Sequence, residues 1–163
     1  MTENGFSTTF TVSRPPQQVF AAVTDVRGWW SRDIVGDTDR LGAVFDYRYE
    51  NAHRCRFRMT ELIPDRRVSW LVLDNYFDFT TDATEWTGTT VSFDITAHDE
   101  GTDVSFTHEG LVPEYECYEL CSTGWGFYVN QSLRELIETG HGRPNSRNRP
   151  RLPAERAATA RAS

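Results

Sequence analysis

Apolar and polar positions alternate in short runs through most of the chain, and only near its end does the period lengthen to a helical one. Phe6, Thr8, Phe10 and Val12 share one face of a predicted first strand, with β-branched Thr9 and Thr11 between them. Pro15 and Pro16 then open a helix, because proline is tolerated in a first turn, and Val19, Phe20 and Val23 give it an apolar face. Gly28 ends it, and Trp29-Trp30 starts a short helix or turn. Beyond Gly42 the period is two. Phe45, Tyr47 and Tyr49 form one strand face, Asn51-Ala52 a turn, and His53, Cys55, Phe57 and Met59 the next, backed by Arg54, Arg56 and Arg58. After the Pro64-Asp65 turn, Val68, Trp70 and Val72 predict a further strand, followed by a long polar loop over Asn75–Glu85. Thr89–Ile95 and Thr102–His108 form a hairpin about the His98–Gly101 turn. Last comes a proline-free helix over Glu114–Thr139, closed by Gly140. A run of antiparallel strands followed by one long terminal helix is an α+β fold with helices on one face of the sheet.

The chain's 163 residues suffice for one domain with a sizeable core. Its charge divides it. Residues 1–140 carry 11 arginines against 23 acidic residues, whereas 141–163 carry six arginines against Glu155 alone, with three prolines and one leucine. The second stretch cannot bury enough apolar surface to fold by itself, so the boundary is placed at residue 140 and 141–163 is expected to be a flexible, dispensable Arg/Pro-rich tail. The acidic body excludes unaided nucleic-acid binding. No apolar run reaches the ~20 residues of a membrane span, and residues 1–10 carry no secretory pattern. Three cysteines, an odd number, argue against a disulfide scaffold and suit a reducing cytosol. There is no lysine, which excludes Schiff-base chemistry.

Few residues suggest chemistry. Cys117 and Cys121 lie four apart on the terminal helix, but with His108 they make three candidate ligands and no second CxxC pair, so no metal site is expected. His108 falls on the apolar side of its strand, either as a polar anchor in a cavity or as a hydrogen-bonded core histidine. Glu61 continues the His53–Met59 face, either as an inward carboxylate or as a strand-end residue in solvent. Aromatic rings gather on single faces, and they suit a packed core or a small-molecule cavity. Neither a phosphate-binding loop nor a familiar hydrolase motif occurs, and no cofactor is implied.

Pro16-Gln17-Gln18-Val19-Phe20 leading through Thr24-Asp25 to Trp29-Trp30, then Gly42-x-x-Phe45, Glu61-x-x-Pro64 with Trp70, and Thr84-Glu85-Trp86-x-Gly88-Thr89 form an ordered set. Phe106-Thr107-His108-Glu109-Gly110-Leu111, Gly124-Trp125 and Ser132-Leu133 complete it. Over residues 6–140 this set resembles the bacterial START-like (SRPBCC) superfamily, in the branch similar to the C-terminal domain of the heat-shock protein 90 ATPase activator. The resemblance implies the helix-grip fold, an antiparallel sheet curved around a long C-terminal helix with an internal hydrophobic cavity between them. Together with the aromatic strand faces, this leads us to expect a cytosolic binding protein for a small hydrophobic or aromatic ligand, contacted by Trp70, Phe93, Phe106, Trp125 and Tyr128 and anchored by His108. A cyclase- or hydrolase-type enzyme and a chaperone-accessory interaction domain are the alternatives on the same fold, and a homodimer is left open.

Overall fold

The computed structural model describes residues 5–49, 53–78, 80–81 and 83–145. Strands β1 (Gly5–Val12), β2 (Ile34–Val35), β3 (Val44–Tyr49), β4 (His53–Ile63), β5 (Arg67–Phe77), β6 (Thr90–His98) and β7 (Gly101–Glu109) form one antiparallel sheet in the order β1-β7-β6-β5-β4-β3-β2. Helices α1 (Pro16–Thr24) and α2 (Val26–Trp29) lie between β1 and β2 in the chain. The long terminal helix runs as α3 (Tyr118–Phe127), a π-helical segment Tyr128–Leu133, and α4 (Arg134–Thr139). The sheet curves around that helix, which is the helix-grip arrangement. Among the described residues, no helix is long and apolar enough to cross a membrane.

Alternation decides which side chains enter the core. Val68, Trp70 and Val72 of β5, Val91, Phe93 and Ile95 of β6, and Val104, Phe106 and His108 of β7 all turn to the concave face and are buried. Gly140 stops the helix as expected, at a φ of 85°, a left-handed conformation that favours glycine. The expected Asn51-Ala52 turn lies outside the described residues.

Four features depart from the sequence pattern. β5 runs on to Phe77, because Asn75, Tyr76 and Phe77 pair with Cys55, Arg54 and His53 and so leave the expected loop. The terminal helix begins at Tyr118 rather than Glu114, its N-terminus being met by a carboxylate from another element. Glu61 takes the second of its two expected places, away from the core, although the alternation of β4 alone would turn it inward. A β-bulge between Met59 and Glu61 breaks the alternation, and Glu61 emerges opposite Ser69, on the outer face. There its carboxylate accepts hydrogen bonds from Arg67 Nε at 2.7 Å and Ser69 Oγ at 2.9 Å, and these hold the Glu61 carboxyl below its usual range.

The fourth departure is at the C-terminal side. Residues 141–145 pack on the body. Asn145, fully buried, forms a parallel bridge with Ser31: its N–H donates to Trp30 O at 2.9 Å, and its carbonyl accepts from Arg32 N at 3.0 Å. Its Nδ2 donates to the hydroxyls of Tyr128 (2.9 Å) and Tyr47 (3.3 Å). A side chain on Gly142 would collide with Gly28 O and Ser132 O, so glycine permits the approach. The boundary drawn from charge at residue 140 therefore falls short of the packed segment. Charge and proline content describe the average of a stretch, and one asparagine with the right partners is invisible in that average. The remainder, 146–163, lies outside the described residues.

Candidate functional site

The six residues expected to contact a ligand converge between sheet and helix. Trp70, Phe93 and Phe106 are 0% exposed, with Trp70–Phe93 centroids 5.3 Å apart, Phe93–Phe106 5.1 Å and Phe106–Trp125 4.8 Å. Where the sequence left room for a cavity against these rings, α2 delivers Trp29 and Trp30. Trp29 lies 6.3 Å from Trp70 and 5.6 Å from Phe93, and Trp30 lies 4.9 Å from Trp125. With zero exposure, Trp70, Phe93 and Phe106 border no water-sized void, so the middle of the grip is a packed aromatic core. Tyr128 is buried as well, with its hydroxyl engaged by Asn145.

His108 is the polar centre of that core, and its bonding is complete. Trp125 Nε1, which can only donate, gives its hydrogen to His108 Nδ1 at 3.0 Å. The neutral ring therefore carries its own hydrogen on Nε2, which donates to Thr89 Oγ1 at 2.8 Å, and Thr89 in turn donates to Trp86 O. Burial pushes the His108 pKa from 6.5 down to about 3, and nearby His53 pushes the same way. Protonating Nδ1 would also set two N–H groups against each other. His108 is thus a fixed, neutral structural link, unsuited to proton transfer near neutrality.

This link makes stability pH-dependent. Above about pH 6.5 the ring is neutral in both folded and unfolded chains, and nothing is lost. As pH falls, the unfolded chain takes up a proton that the folded ring refuses, so stability drops through the window from 6.5 to about 3. At pH 5 the loss is about 2 kcal/mol from His108. His53, also lowered to about 3 by burial, adds in the same direction. Denaturant unfolding at pH 7 and pH 5 should show a difference of at least about 2 kcal/mol, reduced in His108→Gln. Equal stabilities would contradict the buried neutral ring.

The open end of the grip is built differently. Here β4 begins at His53, β5 ends at Phe77, and the 83–89 turn lowers Trp86 onto the concave face. Asn75 anchors that turn: its Nδ2 donates to Ala83 O, and its Oδ1 accepts from Thr87 Oγ1 at 2.8 Å. Glu85 ties it to the helix, its carboxylate accepting the backbone N–H groups of Glu116 (2.9 Å) and Cys117 (3.1 Å), which would otherwise be orphaned at the N-terminus of α3. Glu116 answers by accepting from Thr81 N at 2.9 Å. The Trp86 ring sits between the two histidines, 5.0 Å from His53 and 4.7 Å from His108, and against Phe77 (5.4 Å) and Trp125 (5.6 Å).

All three cysteines are free and gather at this end. Burial pushes the Cys55 thiol up, Asp74 adding to it; burial also raises Cys121, with Cys117 beside it. Cys55 and Cys121 are therefore neutral thiols, poor as nucleophiles or metal ligands. Among the described residues no group of histidine, cysteine and carboxylate side chains could hold a metal ion.

Sequence reasoning missed His53 and Trp86 as candidates. His53 was legible as one member of the inward face of β4 and nothing more. Trp86 had a signal of its own: a large ring inside an otherwise polar loop must be buried by something, and here the grip's open end buries it.

Comparison with known proteins follows this geometry. The family model described as Activator of Hsp90 ATPase homolog 1-like protein matches residues 13–138. Among solved structures, the Aha1 dimer from Colwellia psychrerythraea is 25% identical with a TM-score of 0.68, over 85% of this chain and 98% of that one. CalU16 from Micromonospora echinospora is 14% identical with a TM-score of 0.61, over 95% of this chain and 81% of its own. DynU16, from the dynemicin biosynthetic locus, is 18% identical with a TM-score of 0.62, over 86% of this chain and 49% of its own. The last two share the fold alone. No curated protein matches the sequence.

Proposed function

The chain belongs to the family of Activator of Hsp90 ATPase homolog 1-like proteins, and from there we propose that it is a cytosolic binding protein for a small apolar or aromatic molecule, received at the Trp86 end of the grip. The family fold is compatible with ligand binding. The observation that carries the reading is a change of packing along the terminal helix. The π-helical segment buries Tyr128, Val129, Ser132 and Leu133, whereas α3, longer, buries Trp125 alone. Tyr115, Tyr118 and Cys121 lie only partly buried against the core, and His53, in ring contact with Trp86, is half-buried. An aromatic surface left half covered by a thinly packed helix is where an apolar guest gains most. Covering ~200 Å² of it contributes on the order of 5 kcal/mol before association costs, so apolar contact alone binds weakly and a tight ligand needs polar anchoring as well. The free thiols suit a reducing compartment.

Titration with 2-ethylnaphthalene, followed by tryptophan emission, tests the reading. Saturable quenching is expected, and Cys121→Trp, which fills the half-covered space with a ring, should weaken it at least tenfold while the far-ultraviolet circular dichroism stays native. Binding indifferent to that substitution would overturn the placement.

A homodimer is a second reading, of assembly. Val35 is 72% exposed on the short edge strand β2, with Leu41 (66%) and Val44 nearby in the chain, and the Colwellia neighbour is described as a dimer. Light scattering should give twice the chain mass, and Val35→Glu should halve it.

A further inference from the structure

Two buried nitrogen atoms at the Trp86 end lack the partner that buried polar groups normally have. His53 Nε2 and Trp86 Nε1 make no hydrogen bond within the protein. The Cys121 thiol lies against the Trp86 indole, but sulfur is a weak acceptor and leaves that N–H largely unsatisfied. The two rings are direct neighbours, edge to face at 5.0 Å. Trp70 Nε1 is orphaned too, but Trp70 is fully buried in the packed centre, beyond a guest's reach. His53 and Trp86 differ from it by place: they stand where the helix covers the sheet thinly. Their neighbours, meanwhile, are all accounted for. His108, Thr89 and Trp125 satisfy one another, Asn75 is taken by Ala83 and Thr87, and Glu85 by the helix N-terminus.

From this pair we propose that the guest of the open end is a neutral aromatic molecule bearing a hydrogen-bond acceptor, such as a ketone oxygen, held by Trp86 Nε1–H and His53 Nε2. The inference rests on the ligand-binding reading above and adds the polar half of the ligand. An indole nitrogen only donates, so the guest must accept, and imidazole Nε2 can add a second hydrogen bond from its own N–H. Neutrality follows from the surroundings. The ring contacts of the pair are Tyr47, Phe77, His108 and Trp125, and both histidines stay uncharged near neutrality, so neither supplies a cation. A carboxylate guest would lose its water among these neutral rings. Because the two nitrogens have already lost their water in the empty protein, a carbonyl placed between them recovers bonds that are missing, and the gain exceeds that of an ordinary exchange with solvent.

The test compares 2-acetylnaphthalene, 2-ethylnaphthalene and 2-naphthoate, which share a ring system and differ in the polar group. With the wild-type chain the ketone should bind about tenfold or more tightly than the hydrocarbon, and the carboxylate more weakly than both. The ¹⁵N-labelled protein gives a second measurement that needs no altered chain for its result. One indole N–H proton should move downfield with the ketone and stay in place with the hydrocarbon, and its loss in Trp86→Phe assigns it. His53→Phe should shrink the ratio of ketone to hydrocarbon affinity, both measured on that variant. Equal binding of ketone and hydrocarbon, or an unmoved Trp86 indole proton, overturns the polar anchor while leaving the apolar site intact. If none of the three binds, the ligand-binding reading itself fails, and the anchor with it.

Discussion

A chain ending after Gly142 is expected to unfold about 4 kcal/mol more easily than the full-length protein, lowering the melting temperature by on the order of 10 °C. The shortened chain loses the Asn145 main-chain bonds to Trp30 and Arg32 and the bonds of its amide to Tyr128 and Tyr47. It also loses the bond from Arg143 N to Ser132 Oγ at 2.6 Å, leaving Ser132 with only its donation to Trp29 O. Each buried hydrogen bond contributes roughly 1 kcal/mol, and the partners left behind are themselves buried, so the losses do not fall to the cost of surface bonds. Asn145→Ala in the full chain separates the two contributions. It keeps the main-chain bridge and removes the amide, for an expected 2–3 kcal/mol. Calorimetry on both proteins decides, and a shortened chain within about 1 kcal/mol of full length would show that the segment rests on the body without stabilising it.

That segment illustrates what could be read from the sequence and what could not. Strand faces were legible, because period two at Phe45–Tyr49, His53–Met59 and Thr102–His108 follows from a sheet with one buried side. The helix end at Gly140 was legible for the same kind of local reason. What escaped depends on contacts between distant residues. The capping of α3 by Glu85 and the docking of Asn145 on Trp30 join positions 32 and 115 apart in the chain, beyond any short window of sequence, and the bulge before Glu61 depends on how β4 pairs with β5. The site divides the same way. Its aromatic character was visible, since rings on one strand face must be buried together. Whether they enclose a space or fill it depended on where α2 sends Trp29 and Trp30, and that is a tertiary fact. His108 was legible as either anchor or core group, and its bonds to Trp125 and Thr89 join it to residues up to 19 positions away, outside its own strand.

Trp86→Ala should cost about 3–5 kcal/mol and leave a hole that free indole refills. The ring fills the space bounded by His53, Phe77, His108 and Trp125, with 3% of its surface exposed. Its turn should not collapse into the gap, because Asn75, Thr87 and the Glu85 carboxylate hold the flanking backbone independently of the indole. The walls of the gap are mainly ring faces, so it resembles apolar cavities that stay open for an aromatic guest. Indole at a hundredfold excess over its dissociation constant for the variant should then restore about 2.7 kcal/mol to it. Thermal unfolding of both proteins with and without indole reads this directly. A loss below about 1 kcal/mol would mean that the ring is not buried as described. A full loss without rescue would mean that the turn closes over the gap, and that the Trp86 end yields to an absent ring more readily than the Asn75 and Glu85 bonds imply. Rescue of the variant beyond any stabilisation of the wild type would show that the space vacated by Trp86 accepts a planar aromatic molecule of indole size.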